Sequence, residues 1–183
     1  ELSDGGRRGG GDSGVITVAT DKRTGSKYQL VMENKSKTPL NNVRVEYRVY
    51  YSQQKPVLDE KANKGRREDD PRPERYMAVD VERAREDGAR LKPLEPKSTK
   101  TLSTATITLL NRSANREWGD NIDLKGELEG AWIRLTMKGA NGEALTRDVA
   151  SSNTIMKKFP WDLPDELLVP DEPPEAPEEP AAD

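Results

Sequence analysis

The chain is predicted to be all-β: a sandwich of antiparallel strands with a long charged insertion and flexible termini. Three observations predict this. Residues 28–51 read YQLVMENKSKTPLNNVRVEYRVYY, two alternating runs joined by a polar turn. In the second run Val43, Val45, Tyr47, Val49 and Tyr51 share one face, and Arg44, Glu46, Arg48 and Tyr50 the other. Strand side chains alternate faces, so the first set is expected in a core and the second in water. A threonine-rich run over Thr99 to Leu110 alternates in the same way, and β-branched residues favour the extended state. Lastly, Asn141-Gly142 lies between two further alternating runs and readily adopts the positive φ of a hairpin turn.

Residues 1–14 hold six glycines and two arginines and read as a flexible leader. Val15 to Thr20 is a short strand, followed by a turn at Thr24-Gly25-Ser26. Tyr28, Leu30 and Met32 alternate with Gln29, Val31 and Glu33, and the polar stretch Asn34 to Asn42 connects this strand to Val43–Tyr51. Ser52 to Arg75 contains seven basic and six acidic residues, three prolines and one glycine, and is read as a charged loop insertion. Tyr76 to Val81 resumes strand character, and Glu82 to Gly88 (ERAREDG) is read as a helical turn closed by Gly88.

A proline-marked approach, Leu91 to Pro96, leads into the strand Thr99–Leu110. Asn111 to Leu128 is read as an irregular connection with a few apolar anchors, among them Trp118. The hairpin follows, with Ala131 to Lys138 and Ala144 to Ala150 as its strands, and Ile155 to Phe159 is read as one more strand. Pro160 ends it, and Trp161 is expected to pack back as a plug. Seven or eight strands at this spacing fit an immunoglobulin-like sandwich over 15–161, with a closed barrel as the alternative.

Residues 162–183 carry nine acids, six prolines and no Lys or Arg. Such a tail reads as a disordered or polyproline II spacer. With the whole chain at −3, residues 1–161 are left at +6, a mildly basic body behind an acidic tail. Leu167-Leu168-Val169 is the apolar exception in the tail and is expected to dock on a sheet edge, of its own subunit or of a neighbour.

The chain contains no cysteine and no histidine. That removes disulfide and thiolate chemistry, the usual ligands of zinc, copper and haem, and the commonest general base. No cofactor is expected. No apolar run approaches the roughly eighteen residues of a membrane span, and no signal peptide is visible. The first residue is Glu1 rather than Met, as in a mature or trimmed chain.

Ser52-Gln53-Gln54-Lys55 matches the S-x-x-K spelling of penicillin-binding enzymes, but it follows a strand where that chemistry needs a helical turn in a cleft. Asp120, Asp123, Glu127 and Glu129 lack the alternating ligand spacing of an EF-hand calcium loop and read as solvated. The cations are scattered among acids, with no basic stripe or stacking motif, so nucleic acid is not expected as a partner. Trp118, in a polar loop, and Arg66 and Arg67, in the charged insertion, are candidate partner contacts, together with Leu167, Leu168 and Val169.

Two motifs carry a resemblance. Asn34-Lys35-Ser36 followed by Pro39 to Tyr47, and Leu94-Glu95-Pro96-Lys97-Ser98-Thr99-Lys100-Thr101-Leu102, resemble turns of bacterial immunoglobulin-like, fibronectin-III-like and CARDB-like adhesion modules. More weakly, a single sandwich with two arms resembles immunoglobulin-like proteins associated with type IV pilus systems. The resemblance implies a non-enzymatic binding or assembly module of the bacterial envelope, periplasmic or at the cell surface. Such a module acts through protein partners or self-association at edge strands or arms. The alternative is a carbohydrate-binding or glycan-processing accessory domain, for which Trp118 and the nearby acids would have to line a cleft.

Overall fold

The computed structural model describes residues 18–67, 70, 74–115, 122–139 and 141–168. Among them nine strands and one short helix follow in order. These are β1 (Val18–Ser26), β2 (Gln29–Glu33), β3 (Arg44–Leu58), β4 (Tyr76–Arg90), β5 (Thr99–Ser103), β6 (Ile107–Asn115), β7 (Ile122–Leu124), β8 (Gly126–Lys138), β9 (Ala144–Ala150) and α1 (Asn153–Lys158). The fold is all-β, and every pair of named strands is antiparallel.

One layer is a four-stranded sheet in the order β4-β3-β8-β9. The other is built from β1-β6-β7 and β2-β5. The second layer is in effect a long ribbon kinked at one level. β1 pairs with β6 and β2 with β5, and at the kink the Tyr28 and Thr104 backbones are tied together. The Tyr28 N–H also donates to Thr104 Oγ1 at 2.9 Å. The threonine-rich run is therefore two strands broken at residues 104–106 rather than the single one expected.

The core lies between the layers. Tyr47 and Val49 of β3 and Ala131 of β8 meet Ile107 and Leu109 of β6, and Val45 and Val43 meet Leu30 of β2. This is the inward face that the alternation predicts. The Tyr47 hydroxyl crosses the core: it accepts from the Ala105 N–H at 2.8 Å and donates to Asp87 at 3.3 Å. At the other end the Gln53 side chain pairs with the Leu110 backbone as a peptide would, Nε2 donating to its carbonyl at 2.8 Å and Oε1 accepting its N–H at 3.0 Å.

The two resembling motifs meet at Asn34, which is buried. Its Nδ2 donates to the carbonyls of Thr38 and Leu94, and its Oδ1 accepts from Ser36 N–H and Oγ. Its backbone bonds Ser98 and Lys97. All of its amide's bonding capacity on this side is thus used to lock the turn before β3 to the turn before β5.

Several expectations are corrected. β3 does not stop at Tyr51: Ser52–Leu58 continue it, so the charged insertion shrinks to a loop after Leu58. ERAREDG is not a helical turn but the middle of β4, paired residue for residue with Arg48 to Ser52 and beyond. Its helix-forming side chains are overridden by cross-strand pairing. Pro56 is tolerated because its missing N–H faces the side where β8 has already ended, the last bond being Gln54 N–H to the Lys125 carbonyl at 2.8 Å. Thr24-Gly25-Ser26 lies inside β1, which runs to Ser26, and residues 15–17 lie outside the described residues. Ile155 to Phe159 is not a strand; Asn153–Lys158 form α1. Asn111–Leu128 is less irregular than expected, since β6 reaches Asn115 and β8 begins at Gly126.

Candidate functional site

The second face of β3, expected in water, is the main surprise. The faces of the four-stranded sheet are set by register. On the outer face Glu86, Arg48 and Trp132 form one row across β4, β3 and β8, and Ala84, Tyr50 and Gly130 form the next. Tyr50 is 0% exposed. It is covered by the segment after β9, whose Ile155 and Phe159 join Tyr50, Ala84 and Trp132 in a second core, with Trp161, Leu163 and Leu167 around it. The mixed-charge strip of Arg44, Glu46 and Arg48 thus continues into a buried tyrosine, because an apolar segment more than a hundred residues away lies over it.

Local chemistry explains why the cover fits. Gly130 leaves room for α1: a Cβ there would come within 2.5 Å of Ile155 Cγ1. Next to it β8 carries a bulge, since Tyr50 faces Gly130 but Tyr51 faces Leu128, leaving Glu129 as the extra residue. A bulge turns its strand, so Leu128 and Ala131 both reach the inner core while Glu129 joins the outer face. There Lys158 of α1 pairs with Glu129 at 3.2 Å and with Glu82 at 3.1 Å. Partial burial alone would lower the Lys158 pKa, but hydrogen bonds to Glu82 and Glu129 outweigh it and raise it.

Trp161 is the expected plug. It meets Trp132 edge-on at 5.4 Å, and the guanidinium carbons of Arg48 and Arg134 lie 4.3 Å and 4.1 Å from its ring centre. Both arginines are held by acids, Arg48 by Glu86 at 2.9 Å and Arg134 by both oxygens of Asp148 at 2.8 Å and 2.9 Å. The Arg134 guanidinium holds the Asp148 carboxyl below the usual carboxylate range. Burial pushes the Tyr50 phenol up to about 12.

The cover ends on a sheet edge. β4 is an outer strand of its sheet. The Ala84 N–H, directed away from β3, donates to the Leu167 carbonyl at 2.8 Å, and Leu168 bridges Ala84 in parallel. Two of the candidate contact residues, Leu167 and Leu168, therefore dock in cis on one edge position. Val169 and Trp118 lie outside the described residues.

Arg66 and Arg67 are elsewhere, in the loop at the far end of the β3–β4 ribbon. Arg66 is half-buried, pairs with Glu74 at 3.0 Å and donates to the Asp70 carbonyl, while Arg67 is exposed. That end also exposes Val57 opposite Met77. The two groups of candidates are not one site. The rise of a strand puts Ala84 about 26 Å from the ribbon's end at Tyr76.

Ser52 and Lys55 point to opposite faces of β3, which removes the S-x-x-K arrangement. Asp123 accepts from Ser113 Oγ at 2.6 Å, and Asp120 is outside the described residues. Among the described residues no group of three or more acids is placed to hold a metal ion, and no helix is long and apolar enough to cross a membrane. The sequence reading missed Ala84 as the receptor of the tail and Phe159 as the cover of Tyr50. The one available signal was the apolar spacing Ile155, Phe159, Trp161, Leu163, Leu167. No protein-family model, curated protein or solved structure matches the chain.

Proposed function

We propose that the chain is a non-enzymatic binding or assembly module of the immunoglobulin-like kind, working through protein–protein contacts by strand addition at the β4 edge. The strand order supports the fold side of this reading. The order β4-β3-β8-β9 corresponds to C′-C-F-G of a variable-type immunoglobulin sheet, and the pairing of β1/β2 with β5/β6 corresponds to B with E. A location in the bacterial envelope, with a type IV pilus system as one setting, belongs to the same proposal and rests on the resemblance of the Asn34 and Leu94 turns.

The observation that carries the functional side is the bond from Ala84 to Leu167. A sheet edge presents unpaired N–H and C=O groups and accepts extended segments. Here the chain's own Leu167-Leu168 takes that place through one backbone bond and a single bridge. So short a contact is exchangeable: the same segment from a second copy, or a partner's extended peptide with an apolar pair, would meet the same edge at Ala84. Light scattering of the full chain and of a chain ending at Pro164 tests this. The expected result is a monomer for the full chain and concentration-dependent association for the shortened one, whose uncovered β4 edges are free to pair with each other. Monomer masses for both at high concentration would count against it.

A further inference from the structure

β9 is the other outer strand of the four-stranded sheet, and among the described residues no strand pairs with its free side. It is seven residues long, keeps an unbroken register with β8, and contains no proline, lysine or bulge. Such an edge lacks most of the devices that discourage strand addition. The ladder bonds to β8 fall on odd-numbered residues: the Glu143 carbonyl accepts from the Gly139 N–H, and the Ser151 N–H donates to the Ala131 carbonyl, each at 2.8 Å. The N–H and C=O groups of Ala144, Thr146, Asp148 and Ala150 therefore point outward, toward the place of a further strand.

The side chains of this edge are sorted by face. Leu145, Arg147 and Val149 lie opposite Met137, Leu135 and Ile133 of β8, the row that packs on the inner core. At the rim of the sandwich, Leu145 and Val149 are still 48% and 44% exposed. Arg147 stands between them, exposed and without an ion pair or hydrogen bond among the described residues. The inner row of the free edge thus reads apolar, cationic, apolar. On the outer row, Asp148 is already held by Arg134.

This pattern discriminates between partners. A second copy added antiparallel over the whole of β9 sets Leu145 opposite Val149, and Arg147 opposite its own counterpart. Those would be non-hydrogen-bonded pairs, whose side chains approach most closely, and like charges directly opposite are destabilising. An acid in the same place gives an opposite-charge pair with an apolar pair on either side.

We propose that the β9 edge is a second strand-accepting surface, whose partner is an antiparallel protein strand carrying an acidic residue between two apolar ones at alternate positions. Arg147 sets the specificity: it pairs with that acid and turns a second copy of this chain away. The surface is separate from the β4 edge, which Leu167 and Leu168 occupy.

The chain itself supplies the probe, since Arg147→Glu turns β9 into a strand of the proposed kind. Isotope-labelled full-length chain is mixed at low salt with unlabelled Arg147→Glu chain and followed by NMR and light scattering. Each alone is expected to stay monomeric. The mixture is expected to form a one-to-one complex that slows amide exchange at Thr146 and Asp148 and leaves Ala84 unchanged. A peptide covering residues 142–152 with the same substitution needs no folded variant, and it decides the case if two whole domains cannot approach. It is expected to bind the full-length chain about tenfold more tightly than the unsubstituted peptide does, the scale of exchanging a like-charge for an opposite-charge pair. Equal or absent binding of the two peptides would overturn the proposal and leave Arg147 as a plain guard of the edge. So would self-association of the Arg147→Glu chain as strong as its association with the unsubstituted chain.

Discussion

The rings of Tyr50 and Phe159 stack 4.3 Å apart and 14° from parallel, and the Tyr50 hydroxyl donates to the Pro160 carbonyl at 2.9 Å. A tyrosine on the charged face of the central strand is thereby sealed by the residue just after α1. The sheet thus has a core on both faces, one against the β1/β2–β5/β6 layer and one against residues 155–167.

Removing the stacked ring tests the second core directly. Phe159→Ala is expected to cost about 3–5 kcal/mol in urea unfolding, the range for a buried Phe truncation. Tyr50→Phe keeps the stack and loses only the bond to Pro160, and is expected to cost about 1 kcal/mol. Equal costs for the two would show that the ring contact carries no more than the hydroxyl.

Gly130 owes its identity to close approach rather than to backbone conformation. Gly130→Ala places a methyl group against Ile155 and Ser151 Oγ. The expected cost is about 1–3 kcal/mol, the range for overpacking. Amide exchange of residues 153–168 is expected to speed up while that of β6 stays unchanged, because α1 and not the inner core must move.

Asn34 joins two turns by four side-chain bonds in a buried position. Asn34→Ala removes the donor to the Thr38 and Leu94 carbonyls and the acceptor of the Ser36 N–H, leaving Leu94 only its bond from the Leu40 N–H, so a loss of about 1–3 kcal/mol is expected. Chemical shifts are expected to change at both Ser36 and Ser98. A perturbation confined to residues 34–38 would contradict the link between the turns.

Stability is expected to fall at both ends of the pH scale for separate reasons. Asp148 has a folded pKa below its unfolded value, so its contribution is present above about pH 4 and is lost as the pH drops through the folded pKa. Tyr50 has a folded pKa raised from 10.0 to about 12, so its contribution is full below the unfolded value and is lost as the pH rises through the folded one. Asp148→Asn is expected to flatten the acid limb of urea midpoints against pH, and Tyr50→Phe the alkaline limb. Phenolate absorbance of the native chain is expected to show Tyr50 ionising only as the protein unfolds.

The inner core was legible because Val43, Val45, Tyr47 and Val49 obey a strict period of two with nothing to disguise it. The outer core was not. Tyr50 shares its face with Arg44, Glu46 and Arg48, a pattern that means solvent unless something distant lies over it. The cover comes from a region whose apolar residues recur at no single period and whose prolines suggest a spacer. β4 was misread for a similar reason: Glu82, Arg83, Arg85, Glu86 and Asp87 favour a helix locally, and only pairing with β3 holds them extended. The bulge at Glu129 leaves no mark in residue type, and no sequence period reveals it. Leu167 and Leu168 were recognised as an apolar exception, but their receptor Ala84 is a small residue inside a charged run and carries no signal of its own.

The most direct test of strand addition at β4 is a titration in trans. A chain ending at Pro164 would be mixed with a peptide covering residues 163–172, and the Ala84 amide followed by NMR and hydrogen exchange. The expected result is saturable binding that slows Ala84 exchange to the rate in the full chain, while a peptide with Leu167→Asp and Leu168→Asp leaves it fast. If the Ala84 amide exchanges equally in the full and shortened chains and the peptide does not bind, the β4 edge is not a strand-accepting site.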